Sequence, residues 1–293
     1  MTARSATPVG RGVLSLAVAA SAWGTGGAVA VVLGRDHGLG PVAVSFWRFA
    51  VAAAAVAAIR LLAPGPTSRE SRRTAILSGA GMAVSQAAYF GAVAHAGLAV
   101  GTLVTIGASP VLIALGARRL LGERVGAVQA ALMCAAVGGL VLLTAGPGAA
   151  GAATVLGVGL ALLSALTYSA VILLARHNRG GGAGTSAFVA GAVMLAPLAL
   201  AEGMLPTTGE PFAATAWLVF LGVVPTALAY RWFFAGLATV PAATASVVAL
   251  LEPVAASLIA LVLLGERIGA AGLAGAAVLL GSLGVLAVTA KRA

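Results

Sequence analysis

The sequence predicts an all-α membrane protein of ten transmembrane helices, laid out as an inverted repeat of two five-helix halves. Three observations carry that expectation. Of 293 residues, 61% are hydrophobic and only 8% charged, with a mean hydropathy of +1.09, whereas about a quarter of a soluble domain is charged. Apolar runs of about 20 residues, the length that crosses a bilayer, recur along the whole chain. The second half also aligns with the first.

The runs define the elements in order. The first five are Arg11–Leu33, Pro41–Leu62, Thr74–His95, Leu98–Ala117 and Val125–Ala145. The second five are Ala152–Ala175, Thr185–Leu205, Ala213–Leu237, Pro241–Leu264 and Ile268–Ala290. Breakers separate them: GRDHGLGP before the second, PGPTSRESRR before the third, RHNRGGGAG before the seventh and PTTGEP before the eighth. Two joints, near Gly97 and Val240, are marked by few polar residues. Arg4 and Arg11, followed by an apolar run and the small residues Ala20, Ser21 and Ala22, imitate a cleavable signal. The run continues to Leu33, so the reading here is a first span.

Charge sets the orientation. The excess of 17 Lys+Arg over 7 Asp+Glu, a net +10, is a topology signal in such a chain rather than a nucleic-acid footprint. With both termini in the cytoplasm, 13 of the 17 lie on that side: Arg4, Arg11, Arg60, Arg69, Arg72, Arg73, Arg118, Arg119, Arg124, Arg176, Arg179, Lys291 and Arg292. Only Arg35 and Arg267 fall outside, and Arg48 and Arg231 lie within spans.

Shifting the chain by 143 residues matches Tyr89–Leu143 with Trp232–Leu286 without a gap, at 19 identities in 55 positions. The strongest match is LLGER at 120–124 against 263–267, with Pro110-Val111 against Pro253-Val254 upstream. The halves cover 11–145 and 152–290. Each holds five spans, an odd number, so equivalent helices cross in opposite directions. Two inverted halves around a central site are the architecture of secondary transporters.

The paired LLGER joints, Ala22-Trp23-Gly24, the Phe46–Phe49 segment FWRF, the two prolines and the duplication together resemble the EamA family of the drug/metabolite transporter (DMT) superfamily, with YddG-like aromatic amino acid exporters among its relatives. The resemblance spans about Val13 to Ala290. It implies a basket-like fold, a bacterial inner-membrane location and export of small metabolites such as amino acids. The expected function is therefore a secondary exporter working by alternating access around a cavity between the repeats. An importer or facilitative uniporter, and a lipid-handling protein, are the alternatives. An enzyme would need convergent His, Asp or Cys groups, and no ATP-binding P-loop is present.

Buried charge is costly in a bilayer and marks pathways or pairs, which singles out Arg48, Arg231 and Glu252. Arg48 matches the family's arginine in FWRF. Glu252 replaces what is Ser109 in the first half, and its depth permits either a salt bridge to Arg231 or a proton or cation site. The expected substrate cavity is lined by Trp23, Arg48, Ser85, Gln86, Tyr89, Thr105, Ser109, Tyr168, Trp232 and Glu252. Pro110 and Pro253 are expected to bend their helices at equivalent depth. Trp47 and Trp217 read as interface anchors, and Gly138, Gly139, Gly272, Gly281 and Gly284 as packing positions. The LLGER glutamates and arginines read as caps or pairs at helix joints. A single cysteine, Cys134, and three scattered histidines offer no disulfide or metal site, and no cofactor is expected. The expected partners are a small-molecule substrate, the lipid bilayer and protons, with no nucleic acid, in a monomer or homodimer.

Overall fold

The computed structural model describes residues 8–62, 71–144, 154–178, 185–263 and 269–289. Ten apolar helices run through these residues, nine of them long enough to cross a membrane and the last shorter in its apolar stretch: α1 Pro8–His37, α2 Pro41–Leu62, α3 Arg72–Gly97, α4 Val100–Leu120, α5 Ala127–Thr144, α6 Val155–His177, α7 Thr185–Glu202, α8 Pro211–Leu237, α9 Ala242–Ala249 continuing as Leu251–Leu263, and α10 Ala270–Thr289. They follow the expected runs closely. The weakly marked joint between α3 and α4 is a single residue out of helical geometry, Gly97, with φ 80° and ψ 160°. Such a positive φ is favourable only for glycine. The second weak joint is the turn Ala238–Pro241.

Hydrogen bonds sort the helix ends into two groups, as alternate crossing requires. At one end of the bundle Glu123 meets Arg176 and Ala242. At the other, the stretch Met204–Thr208 meets Asp36, His37 and Trp47, and Thr154 donates to the His95 carbonyl.

Helix packing repeats between the halves. The α6 helix lies against α3 and α4, while α1 lies against α8 and α9. Likewise α7 packs on α3 and α2 on α8, and the pairs α2/α7 and α5/α10 close the set. Exchanging each helix for the one five places on therefore maps these main contacts onto themselves. The α5/α10 crossing is close: a side chain on Gly139 would begin 2.8 Å from the Gly275 carbonyl. Gly138, Gly281 and Gly284, also expected to pack, have nothing within 4 Å, so the crossing uses one glycine on each helix.

The two prolines behave differently. Pro110 sits inside an unbroken α4, so the bend expected there does not break the helix. By contrast α9 breaks at Leu250, three residues before Pro253, and Glu252 falls in the first turn of its second segment. Proline removes one backbone donor in either case. In α4 the hydroxyl of Ser109 donates to the Thr105 carbonyl at 2.7 Å, a local bond that stitches the turn beside the proline. Glu252 makes no such bond among the described residues.

Candidate functional site

Five side chains converge on the break in α9. The Glu252 carboxylate is within electrostatic reach of Arg48 on α2 and of the hydroxyls of Tyr89 on α3, Tyr168 on α6 and Tyr230 on α8. These are all three tyrosines in the chain. Among the described residues Glu252 has no hydrogen bond or ion pair. Of the two alternatives for Glu252, the pair with Arg231 is not formed, because Arg231 lies on an exposed face of α8, where a long basic side chain can reach toward the membrane surface. Arg48 is the cation that faces Glu252 instead.

Arg48 is held at one edge. Its Nε donates to Thr226 Oγ1 at 3.2 Å, and its guanidinium lies 5.8 Å from the Phe49 ring centroid. Thr226 is fully buried and donates onward to the Leu221 carbonyl at 2.7 Å. The direction of this chain is fixed, since guanidinium only donates and carbonyl only accepts. The four terminal N–H groups of Arg48 have no partner among the described residues.

Aromatic rings close one side. Trp23 stacks at 5.1 Å on Tyr230 and 4.8 Å on Phe233, and Phe188 meets Tyr230 at 5.8 Å and Phe49 at 6.1 Å. Trp23 is buried, and its indole N–H has no acceptor, an expensive state inside a protein. The adjacent Gly24 explains how α1 comes so near: a Cβ there would sit 2.7 Å from Ala255 Cβ and 2.9 Å from the Glu252 carbonyl. Only glycine lets α1 touch the broken segment.

Other expected cavity residues are used for packing. Ser85 and Ser164 bond reciprocally, each hydroxyl donating to the other's carbonyl at 3.1 and 2.8 Å. Thr105 donates to Ala161 across the α4/α6 contact, and Ser169 reaches the Ser109 carbonyl. Ser85, Thr105 and Ser109 are all buried, with their hydroxyls spent on backbone. Gln86 is half-buried and makes no hydrogen bond among the described residues. Tyr89 bonds Thr102 at 2.9 Å across the Gly97 break.

The expectation for Trp232 as a cavity wall is corrected: it is 36% exposed and faces outward. The residue that turns inward is Tyr230, which the sequence reading missed. Val223–Leu228, just before it, is a π-helical turn. A wider turn shifts the rotational phase of everything after it, and alignment between halves does not record that. The only hint was Pro225, a donor-free residue in the middle of an apolar span.

At the joint end of α4, the LLGER expectation holds for Glu123. It accepts from Arg176 Nε and from the Ala242 N–H, both at 2.8 Å, and Arg176 also bonds the Leu237 and Ala238 carbonyls. Residues 264–267, with Glu266 and Arg267, lie outside the described residues. At the other end of the bundle Trp47 anchors to the Met204 carbonyl at 2.7 Å, and Trp217 is 39% exposed.

A family profile described as the EamA-like transporter family matches residues 10–145 and 155–288. The chain belongs to the EamA-like transporter family. It is thereby a member of the DMT superfamily and a multi-pass membrane transporter. It is similar to the uncharacterized transporter YwfM of Bacillus subtilis (strain 168), at 28% identity over 214 residues, 71% of this chain and 70% of that one. A solved crystal structure shares the fold with a TM-score of 0.83 at 22% identity, covering 96% of this chain and 98% of its own. In this EamA-like chain residues of both halves, Arg48 and Tyr89 from one and Tyr168 and Tyr230 from the other, lie within electrostatic reach of Glu252.

Proposed function

We propose that the protein is a secondary exporter of small zwitterionic metabolites, amino acids being the expected class. Its two five-helix halves, 11–145 and 152–290, are inverted, and they alternate access to the site between them. The observation that carries this reading is the pairing, inside the bundle, of one cation and one acid that do not bond each other: Arg48 with four open donors, and Glu252 with an open carboxylate. A substrate bearing both a carboxylate and an ammonium group complements that arrangement, while the tyrosines and Trp23 receive its apolar part. The self-matching contact pattern and the odd number of spans in each half support inversion. A helix broken beside its only acid supports a site there, since half-helix ends are where transporters hold charge.

Further elements of the reading follow from chemistry. Both termini lie in the cytoplasm and the membrane is a bacterial inner membrane; the basic residues at that end support the orientation. Glu252 carries the coupling proton, because a carboxyl shielded from water can exchange a proton as the site opens to each side. Trp23, Arg48, Tyr89, Tyr168, Tyr230, Gln86 and Glu252 form the substrate surface.

The test is flux of radiolabelled amino acids in proteoliposomes at several external pH values. Glu252→Gln is expected to leave the protein folded while its flux loses all dependence on pH. A variant that keeps the wild-type pH profile would remove Glu252 from proton coupling.

A further inference from the structure

The π-helical turn of α8 and the arginine of α2 are parts of one device. Arg48 Nε donates to Thr226 Oγ1 at 3.2 Å, and Thr226 Oγ1 donates to the carbonyl of Leu221, five residues back, at 2.7 Å. Thr226 is the centre of the Val223–Leu228 turn and is wholly buried. Pro225, directly before it, has no N–H to close an ordinary α-helical bond. A π turn is a rare and poorly bonded conformation that is often found at functional positions. Here its side-chain bond to Leu221 and the incoming donor from Arg48 are the visible supports. Two residues beyond the turn, Tyr230 points at Trp23 and Phe188.

We propose that Thr226 is the positioning residue of the site: it fixes Arg48 by its Nε, holds α8 in the π turn, and so links the occupancy of Arg48 to the direction in which Tyr230 faces. The link works in both directions. With Nε held, the outer edge of the guanidinium is presented to a carboxylate for a two-point bond. A ligand that draws Arg48 away from Thr226 removes one support of the π turn. Relaxation of that turn to α-helix changes the count by one residue and rotates the following segment by about 100°, which takes Tyr230 away from Trp23. The proposal rests on Arg48 as a substrate-binding group, but its central contact exists without ligand and is testable without one.

The test uses the purified, ligand-free, full-length protein. Phenylglyoxal modification of Arg48 is followed by peptide mass mapping in wild type, Thr226→Val and Thr226→Ser, with hydrogen exchange measured over 223–234 in the same samples. Valine keeps the shape and loses both bonds, and serine keeps both. In Thr226→Val, Arg48 is expected to react about fivefold faster, the factor that one net hydrogen bond supplies, with faster exchange over 223–234. Thr226→Ser is expected to match wild type. Unchanged Arg48 reactivity in Thr226→Val would overturn the proposal, as would equal disturbance by serine, which would mean a packing role only. If the valine variant does not fold, Arg48→Gln is used: faster exchange over 223–228 supports the link, and unchanged exchange overturns it. A parallel measurement of L-phenylalanine flux separates the two readings. Faster labelling in a protein that carries no amino acid supports Thr226 as positioning residue and counts against the zwitterion as substrate.

Discussion

The stretches around Pro110 and Pro253 share a Pro-Val dipeptide at matching places in the two repeats, yet α4 passes through its proline unbroken and α9 does not. Both prolines remove the same backbone donor. What differs is the neighbour: Ser109 bonds back to Thr105 and is sealed against α6, whereas Glu252 makes no such bond among the described residues and lies within electrostatic reach of Arg48. A repeated proline marks where a helix is weak, and the residue before it decides whether the weakness becomes a site. Duplication supplied two equivalent places, and one was kept as scaffold.

This contrast can be broken from either side. The largest effect is expected from Ser109→Glu, which puts a carboxylate into the buried α4/α6 interface without a cationic partner. Leaving a buried charge unpaired costs about 3 kcal/mol, to be read as a lowered melting point in detergent together with lost yield. Next comes Gly24→Ala. A methyl 2.9 Å from the Glu252 carbonyl must push α1 away from the broken segment of α9, at about 2 kcal/mol of strain, with reduced flux as the second readout. The smallest effect is expected from Ser85→Ala, which removes half of a reciprocal clamp for about 1 kcal/mol and leaves the half-saturating substrate concentration unchanged. A marked rise in that concentration would return Ser85 to the substrate surface.

The helices were legible because a bilayer-spanning run and its breakers are written in composition, and even the two faint joints fell where Gly97 and Val240 pointed. Arg48 and Glu252 were legible for a related reason: a charge in an apolar span is conspicuous at any orientation. Hydroxyls are not. Ser85, Thr105 and Ser109 have the helical spacing of a cavity stripe, but a serine that faces a neighbouring carbonyl has the same spacing as one that faces water. Tyr230 was hidden by phase. Matching Tyr89 to Trp232 by sequence is sound as ancestry, but the π turn before Tyr230 sets which face of α8 turns inward, and no residue count reveals it. Glu123 was legible as a joint residue, while the two partners of its carboxylate come from helix ends 53 and 119 residues away in the chain.

The carboxylates of Glu123 and Glu202 stand at opposite ends of the bundle, and each accepts the backbone N–H of a residue at the start of a helix from the other half: Ala242 at 2.8 Å and Ala43 at 2.7 Å. A capping bond of this kind is worth about 1 kcal/mol. If the protein alternates access as proposed above, the two ties act as opposing weights on one balance, and the conformer that keeps both is favoured over either conformer that has released one. Removing a single tie would tilt the resting population of the protein toward the side it guarded by about fivefold. On that reading, the direction the protein faces at rest would be set by two glutamates that need never touch its cargo.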